Sequence, residues 1–287
     1  MTFKEYLTTL PQYILPHHPL SRMMGILTYS KNKTWKNFFI KQIIRHYHVN
    51  MDDSLEQNID NFACFNDFFT RELKPGIRPV VDQPGAIICP ADGAISQCGE
   101  ITTGNIFQAK GKSYSVIDLL GCTATQASVF ENGNFATIYL SPKDYHRLHM
   151  PIDGTLKQMI HIPGRLFSVN GATANSVPQL FARNERVVAI FDTEIGSMAL
   201  VLVGAIFVAS IETVWHGEVT PPTSSTAQTW NYSNNAPFLP KGTEMGRFNM
   251  GSTIIMLFSK DKMAWSNELQ ANKTVKLGQQ IGKVLSS

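Results

Sequence analysis

The 287-residue chain has only four cysteines, Cys64, Cys89, Cys98 and Cys122, and no two of them have C-x-x-C spacing. That argues against a zinc site, so no metal is expected. Four thiols in a chain of this length are no disulfide framework; free thiols in a reducing compartment fit them better. The first twenty residues lack the unbroken apolar core of a secretory signal. The most apolar stretch, Met198–Ala209, is too short to span a bilayer, and its Val and Ile content favours buried strands. Any membrane contact is therefore expected to be peripheral. No P-loop and no G-x-G-x-x-G turn is present, and the missing G-x-S-x-G elbow disfavours an α/β-hydrolase.

What is present is an ordinary globular composition, 43% hydrophobic and 16% charged, long enough for one large domain or two small ones. The net charge of +3 conceals an asymmetry. Residues 1–50 carry seven basic side chains against Glu5 alone, a charge of +6, which leaves 3 − 6 = −3 for the rest. A basic leader on a mildly acidic body suggests an anionic partner, either lipid or nucleic acid.

Pro11, Pro16 and Pro19 break the opening segment into short helices. Thr34–Tyr47 is the clearest helical run. Trp35, Phe38, Phe39, Ile43 and Tyr47 recur at helical spacing, with Lys36, Lys41 and Arg45 between them. A basic helix bearing large aromatics suits an anionic membrane surface. The same pattern also suits a helix packed on its own domain with a solvated basic face.

From about residue 80 short β-rich runs alternate with turn signals: Gly85–Cys89, Phe135–Leu140, Arg186–Asp192, Met198–Ser210 and Thr253–Phe258. They predict an α+β, mainly β fold, with packed antiparallel sheets or a partly closed barrel behind N-terminal amphipathic helices. Pro221–Pro240, rich in Ser, Thr, Asn and Pro, reads as a long surface loop. A boundary near residue 60 is expected, with 1–60 a basic amphipathic helical segment and 61–287 the main domain.

Three groups of residues carry potential chemistry. In Met250-Gly251-Ser252-Thr253 the glycine leaves its carbonyl uncrowded, and a serine hydroxyl pressed against it can attack, given a base and stabilisation of the oxyanion. In Asp144–Met150, His146 and His149 stand three apart; on a helix they would share a face, and either can move protons near neutrality. The pattern P-x-D-G occurs twice, at Pro90–Gly93 and Pro151–Gly154, and Asp-Gly is a common turn pair. Spacing alone leaves a Ser/His/Asp set open between His146 and His149 and between Asp92 and Asp153.

Several collinear segments resemble phosphatidylserine decarboxylases of the bacterial type. They are Arg71–Pro79 (RELKPGIRP), Pro90–Gly93 (PADG), Tyr139–Pro151 (YLSPKDYHRLHMP), Pro163–Asn170 (PGRLFSVN), Phe181–Arg186 (FARNER) and Met245–Phe248 (MGRF). The family's processing site is Leu-Gly-Ser-Thr; here Met250 replaces the leucine at similar size and apolarity. The resemblance implies self-cleavage between Gly251 and Ser252, with Ser252 as nucleophile, His149 as its base and Asp92 orienting that base. Asp153 is then structural. The products would be chains 1–251 (beta) and 252–287 (alpha), the second beginning with a pyruvoyl group made from Ser252. That covalent pyruvoyl cofactor would form a Schiff base with the amine of phosphatidylserine, release carbon dioxide and yield phosphatidylethanolamine. His146 is the candidate for handling the carboxylate or returning the proton. The resemblance further implies an anionic membrane surface, not nucleic acid, as partner. It places the chain as a peripheral protein on the cytoplasmic face of a bacterial cell membrane, and leaves a homodimer open. Two rivals stand beside it: a pyruvoyl decarboxylase of a soluble amino acid, and an uncut Ser/His/Asp hydrolase. Val275–Gly282 has the strand-turn pattern of lipoyl-type barrels and reads as structural.

Overall fold

The structure, a computed structural model, describes residues 3–206, 210–221, 225–249 and 253–285. Three helices lead the chain: α1 (Phe3–Ile14), α2 (His17–Thr28) and α3 (Lys33–Tyr47). Pro16 separates the first two. Pro19 falls in the first turn of α2, where its missing N–H is not needed, and Pro11 lies within α1 without ending it. Asn32 caps α3, its side chain accepting the Trp35 N–H at 3.0 Å, and His48 closes it in the left-handed conformation.

Much of the aromatic face of α3 points inward. Phe39, Ile43 and Tyr47 pack with buried Ile40 on Phe62, Phe65, Phe68 and Phe69, three of which belong to a short helix α4 (Phe65–Phe69). Lys36 is buried too, and its ammonium donates to the carbonyls of Ile59 (2.8 Å), Asp60 (3.2 Å) and Phe62 (2.7 Å). It clamps the 59–62 turn and adds nothing to a solvated basic face. The large apolar side chains that remain exposed on these helices include Leu10, Ile14, Met23, Ile26 and Phe38. No helix among the described residues is long and apolar enough to cross a membrane.

The body is β, as expected. Its spine is a nine-stranded sheet among the described residues, antiparallel throughout. Its spatial order is Gln228–Asn231, Gly154–Ile162, Arg186–Thr193, Gly196–Val203, Thr253–Phe258, Asn134–Tyr139, Gly93–Glu100 and Thr274–Val275, and Phe238–Leu239 also pairs with Gly154–Ile162. The order runs from edge to edge, so of the two expected architectures the packed-sheet one forms. Thr253–Phe258 lies near the middle. Ile254, Met256 and Phe258 enter one hydrophobic core, while Ile255 and Leu257 enter the other on the opposite face. Burial of both faces is why this strand reads as one continuous apolar run.

A second sheet has the order Gly217–Glu218, Ile211–Thr213, Glu244–Phe248, Arg147–His149. His149 therefore sits on a strand, and His146 lies in the turn just before it, so the two histidines share no helix face. The 221–240 stretch is not all loop. Gln228–Asn231 pairs with Gly154–Ile162, and half-buried Trp230 packs against the core. Its polar composition is that of an edge strand with one wet face.

Candidate active site

Asp92 occupies the turn between strand Ala86–Ile88 and strand Gly93–Glu100. Gly93 is required there, because a Cβ would meet the Tyr139 carbonyl oxygen at 2.4 Å. The Asp92 carboxylate is 1% exposed and fully engaged. It accepts from Arg78 Nε (2.9 Å) and Nη2 (2.6 Å), from Lys276 Nζ (3.0 Å) and from the Leu277 N–H (2.9 Å). Burial alone would raise its pKa; the bonds from Arg78 and the Leu277 N–H and the nearby Lys276 charge outweigh that and hold it below the usual carboxylate value. Arg78 also reaches Asp53 at 3.0 Å. The turn that brings Lys276 and Leu277 depends on Gly278, at φ +82°, where a Cβ would strike the Pro79 carbonyl at 2.5 Å.

His149 approaches the same turn through its backbone, its N–H donating to the Pro90 carbonyl at 2.9 Å. Its ring Nδ1 lies 2.8 Å from the Gly242 carbonyl, and its Nε2 lies 3.3 Å from the Tyr145 hydroxyl. A carbonyl only accepts, so Nδ1 carries the proton and Nε2 presents its lone pair. Among the described residues no hydrogen bond joins Asp92 to His149: the Gly242 carbonyl orients the ring, and Asp92 acts on it as a nearby negative charge. Burial lowers the His149 pKa, partly offset by the Gly242 bond.

His146 is wholly buried. Its Nδ1 lies 2.9 Å from the Asp144 carbonyl, its ring contacts Phe69 with centroids 4.0 Å apart, and its Nε2 has no partner among the described residues. Burial, helped by the Arg71 charge, pushes its pKa down to about 3. The ring is therefore neutral, with an open acceptor at Nε2.

Met250, Gly251 and Ser252 lie outside the described residues, but both flanks are anchored. On one side the Asn249 N–H donates to the Ser210 carbonyl at 2.9 Å, and Asn249 Oδ1 accepts from buried Asn66 Nδ2 at 3.0 Å. On the other, buried Thr253 pairs in register with Tyr139 and Val203. The Phe248 N–H donates to the His146 carbonyl at 3.0 Å, which joins the histidine segment to the strand leading into residue 249. A cavity of about 440 Å³ opens at this end of the large sheet, lined by Tyr139, Phe69, Ile43, Ser168 and Asn170 among others. Among the described residues Asp153 bonds to none of these side chains. Its carboxylate accepts the Lys241 N–H at 2.6 Å and fixes a turn.

Comparison with known proteins meets this geometry here. The family model described as phosphatidylserine decarboxylase matches residues 65–283, and a second, described as PSD, matches residues 7–48. This chain belongs to the phosphatidylserine decarboxylase family. It is 53% identical over 281 residues to a phosphatidylserine decarboxylase proenzyme of Pseudomonas entomophila, covering 97% of this chain and 98% of that one. It is 54% identical over 283 residues to the proenzyme of Pseudomonas fluorescens Pf0-1, with 98% and 99% covered. A proenzyme of Bordetella pertussis is 53% identical over 283 residues, with 98% and 95% covered.

The residues around this decarboxylase-family site that the sequence reading did not single out are Arg78, Lys276, Gly242 and Tyr145. Arg78 and Tyr145 lie inside the quoted motifs, so a signal was there. Lys276 and the Leu277 N–H fall in the Val275–Gly282 segment read as structural, which in fact holds Asp92. Gly242 contributes only a backbone carbonyl, which leaves no mark in side-chain patterning.

Proposed function

We propose that this chain cuts itself between Gly251 and Ser252 and then decarboxylates phosphatidylserine to phosphatidylethanolamine. The observation that carries the reading is the family match across nearly the whole chain to relatives named proenzymes, which are made uncut. In the cut, Ser252 Oγ attacks the Gly251 carbonyl and an ester replaces the amide. Elimination frees the Gly251 carboxylate, and water then replaces the nitrogen, so the balance is one water consumed and one ammonia released. His149 is the base. Its Nε2 lone pair is held by nothing stronger than a 3.3 Å contact, whereas His146, pushed down to about 3, is much the poorer base of the two. Asp92, a buried carboxylate kept ionised, favours the imidazolium that forms.

A pyruvoyl ketone made from Ser252 supplies the electron-withdrawing carbonyl that takes up the electrons left as carbon dioxide departs. The residues around position 252 suit such a group. Thr253 is buried, the neighbouring cavity has the volume of a ligand pocket, and His146 Nε2 offers an unpaired acceptor. His146 serves this second stage as a neutral ring that accepts a hydrogen bond from the substrate at Nε2.

Lipid, not a soluble amino acid, is favoured as substrate by the exposed apolar side chains of α1, α2 and α3, since Ile43 and Tyr47 of α3 also line the cavity. The chain would then work as a peripheral protein on an anionic bilayer. Intact mass under denaturing conditions tests the reading. Two chains are expected, the smaller of 287 − 251 = 36 residues and about 17 Da lighter than its serine-initiated peptide, the mass of the ammonia lost. Active protein at full single-chain mass would overturn it.

A further inference from the structure

Two arginines are buried among the described residues, and they differ in one respect. Arg186 is 3% exposed, and its guanidinium is spent on carbonyls: Nε on Leu119 (2.7 Å), Nη1 on Ala182 and Asn184, and Nη2 on Asp118. Arg71 is 5% exposed, yet among the described residues only its Nη2 has a hydrogen bond, 3.2 Å to the Lys143 carbonyl. Its Nε and Nη1 are buried without partners among those residues, and the planar group lies over the Phe68 ring at 5.4 Å. The carboxylates in its neighbourhood are taken. Asp92 is held by Arg78, Lys276 and Leu277, Asp53 by Arg78 and Asn50, and Asp144 by the N–H and hydroxyl of Ser141. A buried cation with two idle donors is costly to keep, and the cost is met when an anion binds it.

Its position says which anion. Residues 68–71 cross residues 143–147. Phe69 contacts the His146 ring at a tilt, Arg71 reaches the Lys143 carbonyl, and the Thr70 carbonyl accepts from Arg147 Nε at 2.9 Å. Phe69 also lines the 440 Å³ cavity with Pro142 and Tyr139. The idle guanidinium and His146 Nε2 thus lie beside a residue of the cavity lining and not in the lining itself, one offering donors and the other an acceptor. The complement of that pair is an anionic oxygen group a few bonds from an ammonium.

We propose that Arg71 binds the anionic oxygens of the serine head group, its fork of N–H donors taking two oxygens while the substrate amine faces His146 Nε2. The inference rests on the decarboxylase reading and names a residue that reading does not use. Phosphodiester and carboxylate both offer paired oxygens. The phosphodiester is the expected source, because a cation gripping the carboxylate would stabilise the very charge that must leave as carbon dioxide.

The test uses the cleaved enzyme, with Arg71→Lys and Arg71→Gln beside wild type. Inhibition of decarboxylation is measured with glycerophosphoethanolamine, which has a phosphodiester and no carboxylate, and with L-serine, which has the reverse. Loss of a charge-assisted contact weakens binding by ~10- to 100-fold. If glycerophosphoethanolamine weakens by that factor in both variants while L-serine holds, Arg71 takes the phosphodiester; the reverse pattern assigns the carboxylate. Unchanged inhibition by both probes in folded, cleaved variants overturns the proposal and leaves the decarboxylase reading standing. That reading fails separately, if wild type is uncut or inactive. Should a variant misfold, a crystal structure of the cleaved wild-type enzyme with glycerophosphoserine, its ketone first reduced with borohydride, decides the matter. Phosphoryl or carboxylate oxygens within hydrogen-bond reach of Arg71 support the proposal, and a head group bound away from Arg71 overturns it.

Discussion

His146 and His149 are three residues apart, yet their environments push them toward different work. His149 is half-buried, anchored at Nδ1 by the Gly242 carbonyl, and faces a hydroxyl at Nε2. His146 is sealed against Phe69, and burial drives its pKa down to about 3. The first is suited to take a proton from Ser252 and the second to act as a neutral hydrogen-bonding group. His149→Ala is therefore expected to stay uncut, with processing slowed by ~10²- to 10⁴-fold, the usual worth of a general base. His146→Ala should cut at near the wild-type rate and then decarboxylate poorly. Denaturing gels over time read the first property, and release of labelled carbon dioxide the second. The reverse pattern would exchange the two roles. Both residues were legible in the sequence from the density of the Asp144–Met150 segment. Their division of labour was not, because it depends on burial and on a backbone carbonyl 93 positions away.

Among the elements, α3 shows that an amphipathic pattern leaves open what covers it. Trp35, Phe39, Ile43 and Tyr47 do recur at helical spacing; Phe39, Ile43 and Tyr47 pack with α4 and the 59–62 turn, Trp35 stacks on Phe39, and Lys36 goes inward. Helical period says that a face is buried; it does not say whether protein or lipid covers it. The most exposed large apolar side chains of α1, α2 and α3 among the described residues are Ile14, Ile26 and Phe38, which are 85%, 75% and 55% exposed. Replacing all three by serine in the Ser252→Ala protein is expected to weaken binding to anionic vesicles by at least ~10-fold, since each removes a large apolar contact. Co-sedimentation measures it. Trp35→Ala with Phe39→Ala should lower the unfolding temperature and leave vesicle binding of the folded protein little changed. These helices are also tied to the catalytic body. Leu166 N–H donates to His17 Nδ1 at 3.1 Å, and Ser168 N–H to the Gln12 side chain at 2.8 Å, and Ser168 lines the cavity.

For the molecule as a whole, the proposed cut leaves two chains that are bound to each other through the sheet and the cores. It frees a chain whose first strand, Thr253–Phe258, is hydrogen-bonded on both sides within the large sheet and contributes to both cores. The same short chain carries Lys276 and Leu277 to Asp92 on the long one. The two chains are thus expected to remain one particle after cleavage. Native mass spectrometry of the cleaved protein should report the two chains together, and denaturant should separate them. Dissociation in native buffer, with activity retained by the long chain alone, would contradict this.

The linear order of residues determined the mainly β body, the continuous apolar run of the strand after Ser252, the basic leader and the motif set that resembles the family. Each of these is a local property, readable from period, composition or contiguous pattern. Tertiary structure decided the rest. It determined that α3 turns Phe39, Ile43 and Tyr47 toward α4, that Pro221–Pro240 contains an edge strand, and that Asp92 is gripped by Arg78 and by a turn 184 residues later in the chain rather than by His149. It also left Arg71 a buried charge with idle donors. The physical reason is common to all of these. Which groups lose water, and which partners replace it, depends on segments distant in the chain, and no window of sequence contains both sides of such a contact.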